Sequence, residues 1–243
     1  MSLKDAWREA FPAQSAGRVV EYMLATWNEL AARKLYHFSW AQTEPKLTLA
    51  LKEILKDNAH TVGLQGFWGG EDQSVKLDPA TLKPLKGYRT DIIYHSDLEG
   101  LSLTFEWKKL KGTSASRKAF YGKEGMGRFL EDDGYAKRQP FGLMVGIIES
   151  PRHRKDTQSL MVAMNKDDIL ALLHMIPDDG GVHLRAPSRE LPGLAMFDTQ
   201  HVRHSGGFST FTFSHLFVEF PGQLLIEEGE HLFRDLGEFR LPG

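Results

Sequence analysis

Apolar residues recur every three or four positions through "GRVVEYMLATWNELAARKL", at Val19, Tyr22, Met23, Trp27 and Leu30. That period is helical, so residues 3–35 are expected to form helix. A second stripe, Leu47, Leu51, Ile54 and Leu55, runs through "SWAQTEPKLTLALKEILKDN". Thr43 is placed to cap that helix, and Pro45 suits its first position. The next stretch, "TVGLQGFWGGEDQSVKLDPATLKPLKG", is broken by glycine and proline and reads as loops with one short strand.

From "YRTDIIYH" the pattern changes to that of strands. This segment and "LSLTFEWKKL" flank the turn residues "SDLEG", which predicts a β-hairpin. "KGTSASRKAFYGKEGMGRFLEDDGYAKRQP" reads as a basic loop followed by a short helix. "FGLMVGIIE" is apolar throughout, as expected of a strand covered on both faces. "SPRHRKDTQ" reads as an exposed basic loop, and "NKDDILALLHMI" as an amphipathic helix capped by Asn165. "HVRHS" and "FSTFTFSHLFVEF" are late strands, and "IEEGEHLFRDLGEFR" a terminal helix.

Together these elements predict an α/β fold. A mixed central sheet begins with the hairpin, a crossover helix brings in the third strand, and helices flank both faces. The N-terminal helices cover one face, and the late strands extend the sheet. No linker or repeat divides the chain, so 1–243 is read as one domain. Its core is about 40–150, with N-terminal helices at 3–35 and a C-terminal elaboration at 151–243.

Composition narrows the function classes. The 243 residues, 41% hydrophobic and 26% charged, belong to a globular chain. Cysteine is absent, which excludes disulfides, thiolate metal sites and cysteine catalysis and fits a reducing, cytoplasmic setting. The charged opening "MSLKDAWREAF" does not read as a signal peptide, and no apolar run is long enough to cross a membrane. The net charge of -2 gives no global attraction to a polyanion, so a nucleic-acid partner would have to meet locally gathered cations.

Strand alternation gathers a candidate site. In "LSLTFEWK", Leu101, Leu103, Phe105 and Trp107 share one face, and Ser102, Thr104, Glu106 and Lys108 the other. Asp91 lies in the preceding strand beside Ile92 and Ile93, where an unsatisfied carboxylate is costly. Hairpin pairing can set it beside Glu106. Two adjacent carboxylates repel, so they call for a cation; replacing Asp91 with alanine is expected to relieve that repulsion and even to stabilise the fold. Oxygen ligands without sulfur suit magnesium or manganese. Lys108 would then orient a water or steady charge on a phosphate, and a lowered pKa would let it transfer a proton as well.

Asp91 followed, after fourteen residues, by Glu106-Trp107-Lys108 resembles the PD-(D/E)XK, or restriction-endonuclease-like, nuclease superfamily. Thr90 stands where that pattern has proline. The succession "YGKEGMGRFLEDDGYA" and "FGLMVGIIE" matches the helix and buried strand that follow Glu-X-Lys in the family. The wording "RF…GYA…FGLMVG" is similar to nuclease-like proteins of bacterial antiphage and restriction loci. The resemblance covers residues 40–150. It implies a magnesium- or manganese-dependent endonuclease acting on nucleic acid, DNA favoured over RNA, as a homodimer or as a subunit of a defence or restriction system. It also implies a further acidic ligand on a preceding helix, for which Glu44 is favoured over Glu53, Glu21 and Glu29. Catalysis falls to Asp91, Glu106 and Lys108, with Asp91, Glu106 and Glu44 as metal ligands.

Lys109, Lys111, Arg117 and Lys118 in the basic stretch, with Arg128 beyond it, are the candidate phosphate contacts. Arg128 has a second reading, pairing with Glu131 or Asp132 at helical spacing. His201 and His204 would lie on opposite strand faces, which favours structural over metal-binding roles. The reading from a different class is a non-catalytic nucleic-acid-binding or scaffolding subunit that retains the fold.

Overall fold

A computed structural model describes residues 10–70, 74–77, 84–88, 91–131, 136, 139–150, 152–203 and 208–221. The chain is α/β, with a mixed eight-stranded sheet flanked by helices. Two N-terminal helices, α1 (Ala13–Ala32) and α2 (Glu44–Asn58), precede β1 (Phe67–Gly69). Strands β2 (Ser74–Leu77) and β3 (Pro84–Tyr88) form a separate antiparallel pair, where the sequence suggests loops and one strand. Glycine and proline conceal that pair because they depress strand signals without forbidding short edge pairing.

The hairpin forms as expected, from β4 (Ile92–Ser96) and β5 (Leu101–Leu110). Its first strand is shorter than predicted, since Asp91 is a bend immediately before β4. The basic stretch is not a loop. Its first residues finish β5, and the rest open helix α3 (Ser114–Tyr121), which Thr113 caps by accepting the N–H of Ser116 at 3.2 Å. Helix α4 (Met126–Glu131) follows and leads to β6 (Phe141–Glu149). β6 pairs in parallel with β5 on one side and with β10 (Thr210–Phe220) on the other.

The second basic stretch is also helical. Helix α5 (His153–Met164) occupies the place of the expected loop, and Asn165 is its C-cap. The following helix, α6 (Asp167–Leu172), is capped from Lys166 instead. Strands β7 (Met175–Ile176), β8 (Leu184–Arg185) and β9 (Phe197–Val202) lead to β10. The sheet order is β1-β4-β5-β6-β10-β9-β7, with β8 also on β9. The expected terminal helix, residues 3–9 of the first helix, His204 and Asp132 lie outside the described residues.

Alternation along the strands divides the core. Leu143, Val145 and Ile147 of β6 join Leu103, Phe105 and Trp107 of β5 beneath α1 and α2. Met144 and Ile148 face the other way, toward Phe120, Phe129 and Leu160 of α3, α4 and α5. Trp27 anchors the first layer, stacked on Trp107 with ring centroids 5.3 Å apart and donating to the Glu219 carbonyl at 3.1 Å. In the second layer, a Cβ on Gly146 would lie 2.7 Å from Phe217, so only glycine fits opposite Lys108.

A polar chain crosses the far side of the second layer. His201 Nδ1 faces the Leu173 carbonyl at 2.8 Å, and its Nε2 meets Thr199 Oγ1 at 2.8 Å. His215 Nε2 meets the same hydroxyl at 2.9 Å. A carbonyl only accepts, so His201 carries its proton on Nδ1 and takes the Thr199 hydroxyl proton at Nε2. His215 must then donate from Nε2. Burial holds the His201 pKa down at about 4 and that of His215 well below its ordinary value. Both rings are therefore neutral structural groups, and His201 fills the structural role expected of it.

Candidate active site

The site begins where β4 fails to continue beside β5. Ile92 pairs with Phe105, and no residue of β4 pairs with β5 beyond that point. β6 covers the opposite edge of β5 as far as Leu110. The N–H and C=O groups of Trp107 and Lys109 are consequently left on the open side. Carboxylates take the place of the missing strand. Asp91 Oδ2 accepts the Trp107 N–H at 2.8 Å, and Glu44 Oε2 accepts the Lys109 N–H at 3.0 Å. Glu44 reaches this edge because it opens α2, whose Leu47 and Leu51 are buried on the adjoining layer.

The side chains converge on one ammonium. Lys108 Nζ lies 2.7 Å from Glu106 Oε1, 2.9 Å from the Trp107 carbonyl and 3.2 Å from Glu44 Oε1. Glu106 is fully buried, and Lys108 is 8% exposed. Glu44 and Arg128 are the more exposed of the side chains that close on this pair. Arg128 approaches Glu106 from α4, with Nη1 3.4 Å from the same oxygen, and its Nη2 is 3.1 Å from Glu124 Oε2. Arg128 thus meets Glu106 and Glu124 among the described residues, while Asp132, one of its helically spaced alternatives, lies outside them.

Three carboxylates around a buried lysine set its charge state. Burial pulls the Lys108 pKa down, but Glu106, Glu44 and Asp91 together outweigh it and hold the ammonium above its ordinary range. The lowered pKa that proton transfer would call for is thus not the direction found in the metal-free chain. Burial, aided by the negative charge of Asp91, raises the Glu44 carboxyl against the pull of Lys108.

Among the helix carboxylates, Glu44 alone meets Lys108 in the described residues. Glu53 pairs with Lys52 and Lys56 on the surface. Glu21 is exposed and Glu29 half-buried on α1.

The candidate phosphate contacts divide. Lys109 turns to the opposite side of the strand, where its Nζ donates to the Trp40 and Gln42 carbonyls and sits over the Trp40 ring. It is a structural clamp on the segment before α2. Lys111 and Lys118 are exposed, at the end of β5 and on α3. Arg117 donates to the Gly112 carbonyl at 3.1 Å. The Trp107 carbonyl escaped sequence reasoning. Strand pairing alone reveals it, since its position depends on where β4 stops.

Among the described residues no set of three His, Asp or Glu side chains is gathered closely enough to hold a metal ion unaided. No protein-family model, curated protein or solved structure matches the chain.

Proposed function

We propose that the protein is a divalent-metal-dependent nuclease that hydrolyses phosphodiester bonds of nucleic acid, with DNA the favoured substrate. The observation that carries this reading is the convergence of Glu44, Asp91 and Glu106 around Lys108 at the fork between β4 and β5. The resemblance to the PD-(D/E)XK superfamily supports it, since the aspartate precedes one strand and Glu-X-Lys lies on the next.

The candidate donors are all oxygen, the kind magnesium and manganese take, but among the described residues the carboxylates are not gathered closely enough to hold an ion, and Glu106 and Glu44 close on the Lys108 ammonium instead. Asp91, Glu106 and Glu44 would hold the ion if drawn together, with the Trp107 carbonyl on the same side of β5. When bound, such an ion supplies a Lewis acid and an acidified water.

The residues of the chain then divide the remaining work. Lys108, its Nζ held by Glu106 and Glu44, is placed to stabilise the negative charge that grows on the phosphoryl oxygens. Glu44 and the Trp107 carbonyl hold its ammonium at the mouth of the site. Arg128 supplies a second positive charge across Glu106. Hydrolysis adds one water across the P–O bond, leaving a phosphomonoester and a sugar hydroxyl.

The test is incubation of the purified protein with supercoiled plasmid or RNA, in magnesium, manganese, calcium or chelator. Magnesium or manganese should support cleavage, and calcium should support little because its looser coordination positions water poorly. Cleavage that persists in excess chelator contradicts the metal requirement. Binding of nucleic acid without cleavage in any cation favours the non-catalytic subunit.

A further inference from the structure

Helix α5 sorts its side chains by face. Asp156, Thr157, Leu160, Ala163 and Met164 are buried. Arg154, Lys155, Gln158 and Val162 are exposed. With Ser159 they line one wall of a groove of about 640 Å3, closed by Arg117 of α3 and by Lys166 beyond the end of α5. Four cations thus face one concavity, and no carboxylate lines it. Asp156 is buried and paired with Arg152, and Asp167 and Asp168 lie outside the lining. Among the described residues, Arg154, Lys155 and Lys166 enter no ion pair. On a chain of net charge -2, this groove is a local reversal of sign.

We propose that this groove binds the phosphodiester backbone of a nucleic-acid strand. The choice of polyanion rests on the nuclease reading above. Three features of the groove favour it. Arg154 and Lys155 lie in the first turn of α5 and Lys166 lies just past its last residue, Met164, about 15 Å from Arg154 at helical rise, so the charges are spread along the helix in a line suited to successive phosphates and not gathered in a cage for one compact anion. Gln158 and Ser159 add neutral donors of the kind that reach phosphate oxygens. No aromatic ring lines the groove, so nothing there stacks on bases, and binding follows the backbone without regard to sequence.

The groove is also joined to the candidate site. Arg152, preceding α5, donates to the Lys111 carbonyl at 3.0 Å, and Arg117 donates to that of Gly112. Both walls are therefore tied to the end of β5, the strand that carries Glu106 and Lys108.

The experiment uses the full chain carrying Lys108→Ala, in chelator, so that the nucleic acid stays intact. Binding of a labelled DNA duplex is measured across a salt series, with and without Arg154→Gln, Lys155→Gln and Lys166→Gln. The triple substitution should weaken binding by about tenfold or more and flatten the salt slope by two to three units. A control triple at Arg33, Lys34 and Lys56, on the opposite layer of helices, should leave both unchanged. Thermal unfolding verifies that each variant is folded. Unchanged affinity and slope in the groove variant would overturn the proposal. So would displacement of the DNA by polyglutamate or anionic vesicles as effectively as by unlabelled DNA, since the groove would then suit another partner. Loss of binding in a protein that cuts nothing in any cation supports the groove and refutes the nuclease reading. Cleavage that requires Lys108, with binding unaltered in the groove variant, does the reverse.

Discussion

Asp91 Oδ2 accepts the backbone N–H of Trp107 at 2.8 Å, and so stands in for the strand that stops at Ile92. The carboxylate has two tasks, satisfying a strand edge and contributing negative charge to the group around Lys108.

The first task reverses the stability expected for a substitution. Trp107 is fully buried, so Asp91→Ala leaves its N–H without an acceptor, which costs about 1–3 kcal/mol. That outweighs relief of repulsion among carboxylates already offset by Lys108. Asp91→Asn keeps an acceptor oxygen and should recover part of the loss. Urea unfolding without added metal, comparing the three proteins, measures both effects.

Glu44 separates the edge contact from its charge. Glu44→Gln can still accept the Lys109 N–H but loses the negative charge facing Lys108 and a bound cation. Manganese affinity should fall about tenfold or more, with little change in unfolding midpoint. Titration of the ion by calorimetry reads this directly. Equal affinity in the variant would remove Glu44 from the ligand set.

The Thr199-linked histidines predict a pH dependence remote from the site. The His201 pKa is about 4 in the folded chain, below its ordinary value of 6.5, because burial opposes the charge. Between those values the unfolded chain binds a proton that the folded chain does not. The contribution of the neutral ring is thus complete above pH 6.5 and is lost as pH falls toward about 4. The loss from His201 alone is about 3 kcal/mol, and His215 adds to it in the same direction. Urea midpoints across this range should fall. His201→Gln, which needs no proton, should flatten the decline.

The parts of this structure that were legible in the sequence are those fixed by local period. Alternation in "LSLTFEWK" put Glu106 and Lys108 on one face, and "SDLEG" set the hairpin that brings Asp91 near them. The apolar run of β6 announced its burial. Helix α5 was missed because Pro151 and the cations of "PRHRK" resemble a loop, although Thr157, Leu160 and Met164 carry a helical stripe. Lys109 was misread for a different reason. Its partners, the carbonyls of Trp40 and Gln42, are more than sixty residues away, and no local pattern encodes that meeting. Glu44 was already favoured over Glu53 in the sequence, but its hold on the Lys109 N–H depends on α2 lying against the open edge of β5, which no local pattern encodes.

The most direct measurement is the rate of plasmid cleavage in manganese by wild type and by Lys108→Ala, with manganese binding followed in the same samples. The ammonium is held to stabilise the transition state and not to bind the ion. The substitution should therefore lower the rate by two orders of magnitude or more, roughly the effect of removing one oxyanion donor, and leave manganese bound. A wild-type protein that leaves the plasmid intact, or a Lys108→Ala variant that cuts at the wild-type rate, would contradict the assignment of this site.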